Sequence, residues 1–187
     1  MNLQYGSEAR EAFVTNVGLI SSNGFHGHDV MAAEWTMQIS YDPGLIMVSI
    51  GPGKATSENI AETGVFGVSI AADHQNVLSS VSGGSQGKQT NKLPMLQEMG
   101  FTFTKAKDID VYLVDESMLR MECNVIDERT YGDHIIFVGE ASNIECENDR
   151  NPLIYHSGKY VGVGADIAKP NEQEREQMKA LMETFKK

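Results

Sequence analysis

The sequence predicts a mainly β protein whose strands close, or nearly close, into a barrel. Three observations carry that expectation. Strand-length apolar runs recur along the chain with only a few short helical stretches between them. Glycine is abundant, with 18 residues against 5 prolines, which suits many tight turns. At 187 residues with 41% hydrophobic content, the chain is long enough for one well-buried core and short for two, so residues 1–187 are read as a single domain.

The elements follow in order. Phe13 to Ser22 reads as a strand ending at Asn23-Gly24, a strong hairpin signal because both residues tolerate positive φ. Val30 to Ile39 is a second strand of mixed pattern, closed by Asp42-Pro43-Gly44. Leu45 to Ile50 is an apolar run of strand length, broken only by Ser49, and reads as a buried strand. A short helix is expected from Ser57 to Thr63, with Thr56 or Ser57 as its cap, Glu58 in its first turn and Gly64 just past its end. Val65 to Ala71 is a strand, a helical stretch begins near Asp73, and Ser82 to Lys92 reads as a polar loop. Met118 to Asp127 and His134 to Cys146 are strands around Tyr131-Gly132-Asp133, and Tyr160 to Val163 is a short late strand. A charged C-terminal helix occupies 171–186, with Met178, Leu181, Met182 and Phe185 at helical spacing.

Charge narrows the partners. A formal net charge of −11 repels a phosphate backbone and an anionic membrane alike, so neither nucleic acid nor membrane is expected. The N-terminal MNLQYGSEAR shows no basic and apolar leader, and no run approaches 18 apolar residues. Cys123 and Cys146 lie far apart, outside any C-x-x-C or zinc spacing, and read as reduced thiols of a cytoplasmic protein. No metal site is expected from the five histidines: His26 and His28 sit two apart on a loop and read as solvent-exposed.

One local feature points to a ligand. Gly51-Pro52-Gly53-Lys54-Ala55-Thr56-Ser57 follows a buried strand and opens a helix. A helix start offers free N–H groups and partial positive charge, and Lys54, Thr56 and Ser57 add donors, so the loop suits a phosphate. An ordinary glycine turn with a helix cap explains the same residues. Gly83 to Lys88 fails as a nucleotide P-loop, because Ser82 and Gln89 stand where Gly and Ser or Thr are needed. There is no G-x-S-x-G elbow and no G-x-G-x-x-G after a strand, which argues against a hydrolase triad and a Rossmann site.

Taken in order, several segments resemble the flavin reductase-like FMN-binding family. They are Val30-Met31-Ala32-Ala33-Glu34-Trp35-Thr36, Ser40-Tyr41-Asp42-Pro43, Val48-Ser49-Ile50, Lys54-Ala55-Thr56-Ser57 and Thr63 to Ser69, then Gly132 to Glu140 and Pro152 to Tyr160. The likeness spans roughly residues 10–165. It implies a six-stranded Greek-key split β-barrel, paired as a homodimer with FMN near the interface. Met31, Ala32, Ala33, Glu34, Trp35 and Thr36 then line the flavin ring, and Ser49, Ile50 and Gly51 run beside the ribityl chain. Lys54, Thr56 and Ser57 hold the phosphate, while Ser82 and Ser85 belong to a second flavin-contacting loop. His156 and Tyr160 fall on the nicotinamide or acceptor side, with His156 the candidate catalytic residue. Two positions depart from the family: Glu34, where a small or hydroxyl residue is frequent, and Val81, where a phenylalanine is usual. The implied activity is electron transfer from NAD(P)H through FMN to flavin or another acceptor. A flavoredoxin-like carrier serving a redox partner protein, and a split barrel for a non-flavin ligand, are the alternatives.

Overall fold

The computed structural model describes residues 3, 4 and 6–186. A short helix α1 (Glu8–Glu11) precedes β1 (Val14–Asn16) and β2 (Gly18–Ser22). The strand expected over 13–22 is thus two strands. The chain changes sheets at Val17, whose N–H donates to the Leu153 carbonyl while its own carbonyl accepts from Ala71. β3 (Asp29–Ala33), β4 (Thr36–Ser40) and β5 (Leu45–Ile50) follow, then α2 (Ala55–Thr63) and β6 (Val65–Ile70). A 3-10 turn (Asp73–Gln75) leads into α3 (Asn76–Gly84), and α4 (Lys92–Glu98) comes next. Two small strands, β7 (Phe103–Lys105) and β8 (Tyr112–Val114), precede the long hairpin β9 (Leu119–Tyr131) and β10 (His134–Cys146). β11 (Ile154–His156), β12 (Lys159–Val161) and α5 (Glu172–Thr184) complete the order.

The main sheet is antiparallel, with seven strands in the order β3-β2-β6-β9-β10-β5-β4. Six were expected; the seventh arises because the stretch 30–39 breaks at Glu34-Trp35 into β3 and β4. These two consecutive strands lie at opposite edges of the sheet. A connection of two residues can join opposite edges only if the sheet curls until they meet. Gly18 marks the seam. A Cβ there would sit 2.2 Å from Thr36 Oγ1, so only glycine lets β2 pass beside the start of β4. Thr36 Oγ1 in turn donates to the Ala33 carbonyl across the bend at 3.2 Å.

The curl gives the chain two cores. Ile20, Val48, Phe66, Val68 and Phe137 fill the inside of the curled sheet. Leu19, Val30, Leu78, Leu96 and Val114 pack outside it, beneath α3 and α4. Successive β2 residues therefore face different cores, which is why Gly18–Ser22 is buried throughout and shows no polar alternation. A small sheet, β1-β11-β12, flanks the main one.

Three further expectations change. Ser82 lies within α3, which extends three residues into the segment expected to be a loop. α4 starts inside the expected loop boundary at Lys92; its Pro94 sits in the first turn, where the missing N–H has no helical partner to lose. His26 and His28 are half-buried rather than exposed. His26 pairs with Glu58 at 2.5 Å, and the His28 ring meets Tyr112 edge-on. α5 forms as expected, capped by Asn171, but Met178, Leu181, Met182 and Phe185 remain exposed.

Candidate functional site

An open cleft of about 1200 Å³ runs along the seam. Its floor is the end of β3 (Met31, Ala32, Ala33), the bend residues Glu34 and Trp35, and the end of β5 with Ser49, Ile50 and Gly51. The Ser49 N–H donates to the Trp35 carbonyl at 3.0 Å and pins the bend to β5. Lys54 stands at one end, Gly83 of α3 lies at the side, and Asp133-His134 rises from the β9–β10 turn. The Trp35 and His134 rings lie against each other, with centroids 4.5 Å apart.

Lys54 is the N-cap of α2 and makes no side-chain capping bond. The first bond of the helix runs from the Glu58 N–H to the Lys54 carbonyl, at 3.1 Å. The N–H groups of Ala55, Thr56 and Ser57 therefore precede the helical ladder, and they follow directly on a lysine that lines the cleft. A helix start of this kind carries partial positive charge at its leading N–H groups, to which Lys54 adds a full one. The hydroxyls of this turn are committed elsewhere. Thr56 is 1% exposed, and its Oγ1 donates to Asp29 Oδ2 at 2.7 Å. Ser57 Oγ donates back to the Lys54 carbonyl at 2.9 Å. Lys88 and His26 flank Glu58 in the same turn and hold its carboxyl below the usual range.

A second cavity of about 430 Å³ opens off the first and shares Ala32, Ala33, Glu34 and Gly83 with it. Tyr160, Tyr155, Ser79 and Ser80 complete its wall. Glu34 stands at the junction. Arg10 of α1 forms an ion pair with its carboxylate, and Thr15 Oγ1 donates to the same oxygen at 3.4 Å. Ser79 Oγ is buried and has no partner among the described residues.

Most of the expected cofactor residues thus gather in one cleft: Met31 to Trp35, Ser49 to Gly51 and Lys54. The remainder lie elsewhere. Thr36 points into the seam, away from the cleft. Thr56 and Ser57 do not line the cleft, and their hydroxyls are bonded to Asp29 and to the Lys54 carbonyl. Ser82 is fully buried under the α3 C-terminus, and Ser85 Oγ donates to the Val81 carbonyl at 2.6 Å. Tyr160 lines the adjoining cavity. His156 lines neither cavity; its Nδ1 lies 3.4 Å from the Phe13 carbonyl. Arg10, Phe13 and His134 are cleft residues that sequence reasoning missed. Only the Gly132-Asp133 turn hinted that His134 stands at a hairpin tip. Among the described residues no group of three or more His, Cys, Asp or Glu side chains converges as a metal cage.

Residues 10–164 match the flavin reductase like domain. The chain belongs to that family. It is 31% identical over 117 residues to a protein of Pyrococcus abyssi, an alignment covering 62% of this chain and 65% of that protein. An NADH-dependent flavin reductase of a Rhodococcus species is 26% identical over 147 residues, covering 79% of this chain and 75% of its own. Among solved structures, BorF, the flavin reductase component of a bacterial two-component tryptophan halogenase, superposes with a TM-score of 0.73 at 25% identity. That match covers 84% of this chain and 96% of BorF. For a flavin reductase-like protein the donor set fits: a long cleft floored by backbone and small side chains, closed at one end by an uncapped helix start and a lysine.

Proposed function

We propose that this protein binds FMN and passes electrons from NAD(P)H to flavin or another acceptor. The observation that carries the reading is the α2 start, an uncapped helix end whose N-cap, Lys54, lines a cleft of about 1200 Å³. Lys54 and the N–H groups of Ala55, Thr56 and Ser57 hold the phosphate. Ser49, Ile50 and Gly51 flank the ribityl chain, and Met31 to Trp35 lie along the ring. Bound FMN supplies a two-electron acceptor and donor centre, while the protein contributes position and field. Backbone groups of the β3–β4 bend meet the polar edge of the ring, and Trp35 with His134 shields one side of it. Glu34 and Tyr160 line the adjoining cavity through which the nicotinamide donor approaches; this role replaces the one expected of His156.

The same reading covers the assembly. Met37, Ile39 and Ile144 leave an apolar face on and beside β4, around a groove of about 380 Å³. Large apolar patches on a soluble chain mark contacts, and a second copy of the chain covers this one. The unit is a single domain over 1–187, a six-stranded Greek-key split barrel when β3 and β4 are counted as one bent strand, with helix 171–186 appended. The free thiols Cys123 and Cys146 support a cytoplasmic setting. By likeness to BorF, a redox partner protein receives the reduced flavin or its electrons.

The test is spectroscopic. The purified protein titrates with FMN to a saturable flavin spectrum, and anaerobic NADH or NADPH bleaches it. No binding of FMN at high concentration sinks the reading, and binding without nicotinamide bleaching leaves only the carrier role.

A further inference from the structure

Beneath the α2 start lies a buried charged network. Lys92, at the first position of α4, is 2% exposed, and its Nζ pairs with Asp29 Oδ1 at 3.0 Å. The other oxygen of that carboxylate, Oδ2, accepts the Thr56 hydroxyl at 2.7 Å. Lys92 Nζ also donates to the Ser82 carbonyl at 3.2 Å. A Cβ on Gly87 would lie 2.6 Å from Asp29 Oδ1, so the loop backbone closes directly over the pair. Asp29 is the first residue of β3, the strand that goes on to floor the cleft with Met31, Ala32 and Ala33.

Burying two charges costs free energy that their mutual attraction repays only with good geometry and further hydrogen bonds. An apolar pair of similar volume would hold the same elements together without that cost. Burial pushes the Lys92 ammonium below its ordinary range, Asp29 counters that shift, and nearby Lys54 adds to it. We propose that Lys92, Asp29 and Thr56 are positioning residues for the phosphate cradle: they fix the α2 start against β3, so that its three leading N–H groups converge with Lys54 on one point. Thr56 acts through Asp29 and does not touch the phosphate with its hydroxyl. This inference rests on the FMN reading given above.

The readout is the ratio of riboflavin to FMN dissociation constants, because only FMN carries the phosphate. Asp29→Asn with Lys92→Met removes both charges together and keeps an acceptor for Thr56, so no buried charge is left unpaired. The double variant is expected to keep a cooperative melt and riboflavin affinity while the ratio falls about tenfold, the scale of one hydrogen bond to a charged group. Thr56→Val gives a similar fall, and Thr56→Ser restores the wild-type ratio. The triple variant loses no more than the larger of its parts, since all three residues act as one unit. A ratio within about twofold of wild type in folded Thr56→Val, or a triple variant whose losses simply add, overturns the inference. If the double variant does not fold, Thr56→Val and Thr56→Ser decide it. Should wild type bind riboflavin as tightly as FMN, the cradle itself is misassigned; that result is separable from a normal preference in wild type that survives in the variants.

Discussion

Two helices in this chain begin in opposite ways. α5 starts with a complete capping box: the Asn171 side chain accepts from the Glu174 N–H, and the Glu174 side chain accepts from the Asn171 N–H. Its first turn satisfies itself, and the helix buries none of its residues. α2 starts with Lys54 and no side-chain cap, and most of its first two turns are buried. A helix that needs only to exist spends its leading side chains on its own N–H groups. In the proposed FMN site, α2 leaves those groups to the ligand and is held by contacts from below. Thr56, a good capping residue by type, instead turns its hydroxyl to Asp29, and Ser57 turns its own back to the Lys54 carbonyl.

Substitutions can break this contrast or sharpen it. The largest effect is expected for Lys92→Met alone, which strands the Asp29 carboxylate in the interior. It should destabilise the fold by about 3–5 kcal/mol in chemical denaturation, against a much smaller loss when Asp29→Asn accompanies it. Next comes Lys54→Ser, which gives α2 the kind of cap that α5 already has. Helix stability should rise by about 0.5–1 kcal/mol while FMN binding weakens by about 1.5–3 kcal/mol. Opposite signs in melting temperature and affinity would show that capping and ligand binding compete for the same N–H groups; a parallel change would end the comparison. The smallest effect belongs to Asn171→Ala, about 1 kcal/mol of helix stability. It should appear as reduced far-ultraviolet helical signal, with the FMN titration unchanged.

What could be read from the sequence was local. Leu45–Ile50 has the bounds expected of it because an apolar run flanked by breakers leaves little choice. Gly64 ends α2 at φ 70°, as a residue without a side chain should. The strands over 118–127 and 134–146 were found, although β9 runs on to Tyr131 because its outer half pairs with β10 in the hairpin. What escaped depends on distant partners. Lysine at position 92 reads as the polar end of a loop, and Asp29 on β3 with the Ser82 carbonyl of α3 makes its burial tolerable. Arg10 and His134 enter the cleft because the barrel closes, and no periodicity encodes that. β7 and β8, three residues each, are too short to show a period.

The bend at Glu34-Trp35 carries a further consequence. It welds the two margins of the sheet and lies along the ligand at the same time, so its length is fixed by ring closure. One inserted residue there would reverse the phase of β4, turning Met37 inward and the seam threonine out. This dipeptide link therefore tolerates exchange of side chains but not a change in count.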